Sequence, residues 1–153
     1  MSTLALLGGP PVRSRPFPNW PISDESDEKA LLQVLRSGKW GRHQGHLTGE
    51  FEQLFASYQG ARFGIAVVNG SVAIRLALQA AGIHPGDEVI IPPITFFSTA
   101  SSVVEVNAVP IFADINPETY CLDPDAIEAA ITPRTRAIIP VHFAGQAAAM
   151  NEI

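Results

Sequence analysis

An α/β fold built on a parallel sheet is what this sequence predicts, and three observations predict it. From Arg62 onward, apolar runs of strand length alternate with stretches of helical length. The runs are continuously apolar, the pattern of strands buried on both faces. Turn signals, Pro85-Gly86-Asp87 and Asn116-Pro117-Glu118, punctuate them. The expected strand–helix pairs are 64–68 with 72–81, 88–91 with 95–106, and 109–113 with 125–131. A last strand at 137–141 then leads to a helix opening near Ala147.

Before that rhythm the chain reads differently. Residues 1–22 carry Gly8-Gly9-Pro10-Pro11 and then Pro16, Pro18 and Pro21. Proline fixes φ and removes a donor, so these residues predict an extended arm. Ser23-Asp24-Glu25-Ser26 opens a helix with acidic residues where the dipole favours them, and Ser37-Gly38 stops it. A polar, Gly-rich loop from Lys39 to Thr48 holds Trp40, His43 and His46. A second helix follows from Glu50, with Phe51, Leu54, Phe55 and Tyr58 on one face and Gly60 closing it. Three segments result: the arm (1–22), the N-terminal helices with their loop (23–61), and an α/β region (62–153).

Composition narrows the function. In 153 residues, 46% are hydrophobic and 16% charged, which is enough apolar material for a packed core. The net charge of −5, with no dense Lys/Arg cluster, argues against a nucleic-acid partner. No apolar run reaches the roughly 18–20 residues of a spanning helix, which argues against a membrane role, and the N-terminus lacks signal-peptide character. Cys121 is the only cysteine, which fits a reducing, cytoplasmic setting. The final run, Ala147 to Ile153, reads as a helix without a stop signal, so the chain is expected to be the front part of a longer protein.

Asn69-Gly70-Ser71, between an apolar run and a helical one, is the most informative triplet. A strand turning through Gly into a helix leaves backbone N–H groups unpaired at the positive end of the dipole, a ready phosphate site. Gly70 admits close approach of an oxygen, and Ser71 adds a hydroxyl. An ordinary N-cap would use the same residues. A second strand end, Pro92-Pro93-Ile94-Thr95-Phe96-Phe97, predicts Thr95 as a helix cap and at least one Phe as core filler. A phosphate cup at one strand end and an exposed aromatic at another would together hold a flat phosphorylated ring. Pyridoxal 5'-phosphate has that shape.

Around these residues the chain resembles the DegT/StrS family of sugar aminotransferases. The likeness is carried by Val68-Asn69-Gly70-Ser71-Val72-Ala73, by Gly82 to Ile90, by Thr95-Phe96, by Pro110 to Ile115, and by Ile131 to His142 with Gly145. It extends from about Gly8 to the end. The resemblance implies the large domain of fold-type I aminotransferases, a homodimer, and pyridoxal 5'-phosphate as cofactor. It also implies that the backbone of Gly70 and Ser71 holds the phosphate while Phe96 stacks on the pyridine ring. The family usually has Thr where Ser71 stands; the hydroxyl is kept. Trp40 and the loop to Gly45 correspond to a segment near the substrate pocket, and His142 falls in a His-x-x-Gly pattern read as structural. The implied substrates are a keto-sugar, nucleotide-linked in many such enzymes, or a cyclitol ketone, with glutamate or glutamine as amino donor.

A transaminase needs a lysine to hold the cofactor as a Schiff base and to shuttle a proton. The chain has two lysines, Lys29 and Lys39, neither at a strand end of the α/β region. The family's lysine, and the aspartate that pairs with the pyridine nitrogen, fall beyond Ile153; Asp114 comes too early to be that aspartate. No catalytic residue is therefore expected among these 153, and the chain alone is expected to be inactive. Strand 64–68 would lack its family neighbours, leaving an apolar face exposed and the isolated chain marginally stable.

Other readings are weaker. His43 and His46 lack further ligands for zinc, so no metal site is expected. No Gly-x-Gly-x-x-Gly follows the first strand, and Ser71 lacks the flanking glycines of a nucleophile elbow. Glu50/Glu52 and Asp123/Asp125 read as helix-start charges. Two alternatives to the aminotransferase stay open: a sugar dehydratase on the same fold, with histidine in place of the lysine, and a non-catalytic remnant.

Overall fold

A computed structural model describes residues 3–153, which form two compact units divided between Gly64 and Ile65. In the first, a short 3-10 turn (Ala5–Leu7) precedes irregular chain. Helix α1 (Glu25–Ser37) follows, started by a capping box in which the Asp24 carboxylate accepts from Ser26 N–H at 2.7 Å and Asp27 bonds back to Asp24 N–H at 2.9 Å. The Ser26 hydroxyl also donates to the Asp24 carboxylate and, foremost, with the Ser26 and Asp27 backbone N–H groups behind it, holds that carboxyl below its ordinary range. Gly38, at φ +66°, ends the helix in the left-handed region that glycine tolerates. Helix α2 (Leu47–Tyr58) begins before the expected Glu50, and only Ala56 on it is buried. Phe51, Leu54, Phe55 and Tyr58 do share a face, but that face is exposed.

The second unit is α/β, as the apolar runs predict. Helix α3 (Gly70–Ala80) leads to strand β1 (Glu88–Ile91), α4 (Ser98–Glu105), β2 (Val109–Phe112), α5 (Pro124–Ala130) and β3 (Thr135–Ile138). Both strand pairings of the sheet are parallel, in the order β2-β1-β3, so β1 is central. Its side chains alternate between two cores. Val89 and Ile91 pack with Leu78, Ile83, Val103, Val106 and Ala108, whereas Ile90 packs with Ala113, Leu122 and Ile127. Helices therefore cover both faces, which is why Val89, Ile90 and Ile91 are consecutive apolar residues.

Four expectations need correction here. Residues 64–68 are not a strand: neither edge of the three-stranded sheet takes them up, and Ile65 and Val68 stay 81% and 84% exposed. Helix α4 starts at Ser98, not Thr95. The Ala147–Ile153 run forms a single turn, with Ile153 N–H donating to Ala149 C=O at 3.0 Å, and no helix; one turn fixes several dihedrals for one bond and needs packing to propagate. The last strand also begins two residues early, at Thr135.

Candidate functional site

The N-terminus of α3 is capped by Asn69, whose Oδ1 accepts from Val72 N–H at 2.9 Å. Its carbonyl accepts from Ala73 N–H at 3.1 Å, closing the first turn. Among the described residues no acceptor meets the N–H groups of Gly70 and Ser71. The cap has thus satisfied one orphan donor and left two pointing out of the helix start, in the positive field of the dipole. A Cβ placed on Gly70 would stand in open space, with no atom within 4 Å. Ser71 is half-buried, and its hydroxyl has no partner among the described residues.

The aromatic element sits where α4 begins. Phe96 and Phe97 are 67% and 69% exposed, with ring centroids 4.7 Å apart and planes tilted by 53°. The expectation that one of them fills the core is wrong: the buried face of α4 is instead formed by Ser98, Thr99, Ser102 and Val103. Thr95 is not the cap either. Its Oγ1 lies 2.8 Å from Thr99 Oγ1, and Phe97 takes the cap position without a side-chain bond.

α3 and α4 pack together through Ile74, Ala100 and Val103, and the Ser102 hydroxyl donates to Ser71 C=O at 3.0 Å. Because α4 follows the carboxyl end of β1, Phe96 stands at the end of the sheet where open α/β folds collect ligands. Ser102 was missed in the sequence. The signal available was a hydroxyl residue, four after Ser98, on a face where Val103 and Val106 turn inward.

The remaining candidates have structural duties. His142 accepts from Ala148 N–H at Nδ1, 3.0 Å, which fixes the tautomer with Nε2 protonated and ties the turn after β3. Asp114 Oδ1 accepts from Ile115 N–H at 2.8 Å. Asp123 caps α5 by accepting from Asp125 N–H at 3.1 Å. Nε2 of His46 lies 3.8 Å from a Glu50 oxygen, and no group of three or more metal-ligating side chains occurs among the described residues. Lys29 and Lys39 both belong to the first unit, whereas Gly70, Ser71 and Phe96 belong to the second. No helix among the described residues is long and apolar enough to cross a membrane.

Comparison with known proteins bears on this geometry. Over 147 residues the chain is 48% identical to the L-glutamine:2-deoxy-scyllo-inosose aminotransferase of Streptomyces kanamyceticus, covering 93% of this chain and 34% of that protein. The crystal structure of 3-amino-5-hydroxybenzoic acid synthase superposes with a TM-score of 0.86 at 42% identity, over 92% of this chain and 36% of that one. NtdA of Bacillus subtilis, solved with bound PMP, superposes with a TM-score of 0.80 at 41% identity, over 86% and 31%. The chain therefore spans about a third of the length of the relatives it matches. The model of the DegT/DnrJ/EryC1/StrS aminotransferase family matches residues 21–153. The chain belongs to that family, and its parallel α/β unit is the corresponding part of the aminotransferase fold.

Proposed function

We propose that this chain supplies the phosphate cup and the ring-stacking wall for pyridoxal 5'-phosphate in an aminotransferase. That enzyme would move an amino group from glutamine or glutamate to a cyclitol ketone or a keto-sugar. The observation that carries the proposal is the pair of free N–H groups at Gly70 and Ser71, opening α3, in a family member whose neighbouring helix is preceded by an exposed Phe96. One relative matched is named an L-glutamine:2-deoxy-scyllo-inosose aminotransferase, and another is solved with PMP.

In this reading the two amides and the Ser71 hydroxyl bind phosphate oxygens, and the dipole of α3 stabilises their charge. Asn69 keeps the cup rigid by capping without occupying it. Phe96 lies flat against the ring and fixes its plane relative to the phosphate. The cofactor, once bound, supplies an electron sink for carbanion chemistry. No residue of this chain takes the lysine's part: Lys29 and Lys39 stand in α1 and in the loop after it. A homodimer completes the proposal, and the exposed α2 face of Phe51, Leu54 and Tyr58 is apolar surface that a partner would cover.

Calorimetric titration of the chain with pyridoxal phosphate, and separately with pyridoxal, tests the cup. Charge-assisted bonds to two amides should favour the phosphorylated ligand by about tenfold or more. Equal affinity for both ligands would overturn the proposal.

A further inference from the structure

Ser102 has no exposed surface, and its hydroxyl donates to a carbonyl on another helix, that of Ser71, at 3.0 Å. A helical serine ordinarily turns back to the carbonyl four residues earlier, here Ser98. Burying a hydroxyl is costly without a partner, and an alanine would fill the same position without that cost. The peptide unit receiving the bond is the one between Ser71 and Val72. Asn69 Oδ1 grips the N–H of that same peptide at 2.9 Å. One peptide plane is therefore held from both ends, its C=O by α4 and its N–H by the cap. The Ser71 N–H belongs to the adjacent plane upstream, and the Gly70 N–H to the one before it.

We infer that Ser102 is a positioning residue for the phosphate cup, fixing the direction of the Gly70 and Ser71 amides and linking the cup to the helix that carries the aromatic wall. The link is direct: Ser102 and the Phe96-Phe97 pair belong to the same short helix and its entry. α4 thus carries the donor to the Ser71 carbonyl and, just before its first turn, Phe96, with apolar contacts to α3 around that bond. The inference rests on the reading that these amides hold the phosphate.

The experiment measures, on the full 153-residue chain, the affinity for pyridoxal phosphate relative to pyridoxal in wild type, Ser102→Ala and Ser102→Cys. Circular dichroism verifies the fold of each. We expect Ser102→Ala to lower the phosphate preference by about fivefold, the worth of one hydrogen bond, with pyridoxal affinity unchanged. Ser102→Cys keeps a weak donor of similar size and should fall between; it decides the matter if the alanine variant does not fold. A purely structural serine would alter thermal stability and leave the ratio alone. A wild-type preference that both variants retain would overturn this inference and spare the cup. A wild-type chain without any preference would overturn the cup, and this inference with it.

Discussion

Glu88 and Arg134 are bonded reciprocally. The Glu88 N–H donates to the Arg134 carbonyl at 2.9 Å, and Arg134 Nε donates back to Glu88 Oε1 at 2.9 Å. The Thr132 hydroxyl also donates to this carboxylate. An acidic residue with 2% exposure at the start of a central strand is thus satisfied by the turn that leads into β3. The pairing register slips by one residue at this point, with Glu88 opposite Thr135 and Val89 opposite Ala137. The side-chain bonds hold the strands together where the ladder is irregular.

This arrangement sets a pH dependence. The Thr132 hydroxyl first, and Arg134 second, hold the Glu88 carboxyl below its ordinary value. A carboxylate depressed in the folded state contributes stability above its unfolded pKa of about 4.3, and loses it as the pH falls through the folded value. Glu88→Gln should therefore have a lower urea midpoint than wild type at pH 7, and the gap should narrow below about pH 4. A gap that stays constant with pH would contradict this.

The two-faced burial of β1 makes its centre sensitive. Ile90 has no exposed surface and joins Ala113, Leu122 and Ile127. Ile90→Ala should cost about 2–5 kcal/mol, and Ile90→Val about 0.5–1.5 kcal/mol, by chemical denaturation.

Asn69 separates the cap from the cup. Asn69→Ala removes the acceptor for Val72 N–H and should destabilise the chain by about 1 kcal/mol. Asn69→Asp keeps a capping oxygen and favours the helix dipole, so stability should hold. Its added negative charge should nonetheless weaken pyridoxal phosphate binding and leave pyridoxal binding unaffected.

Phe96 acts on the ring and not on the fold. It is mostly exposed, so Phe96→Leu should leave the melting temperature within about a degree. Loss of stacking, worth about 0.5–1.5 kcal/mol, should weaken pyridoxal and pyridoxal phosphate alike, by roughly 2- to 12-fold. Phe96→Trp should retain both affinities.

Local chemistry was legible in the sequence, and non-local chemistry was not. Asp24 with Gly38 bounded α1 because caps and left-handed glycines act within a few residues. The run 88–91 was legible as β1 because its three doubly covered residues, Val89 to Ile91, are all apolar. The run 64–68 looks the same but forms no ladder, since pairing depends on distant partners that periodicity does not reveal. Thr95 carried the chemistry of a cap, yet its hydroxyl lies against Thr99 and the helix starts three residues later. Asn69-Gly70-Ser71 was readable as a helix start, though no strand precedes it, and Phe96 proved to be an exposed aromatic two residues before α4. The bond from Ser102, 31 residues after Ser71, was not readable, because only the packing of α3 on α4 creates it.

The placement of the phosphate is tested most directly by following backbone amide resonances of the 15N-labelled chain during titration with pyridoxal phosphate. The largest shifts should fall on Gly70 and Ser71, with smaller ones at Phe96, and pyridoxal should reproduce only the latter. Shifts centred on other amides, or the same response to both ligands, would contradict the account.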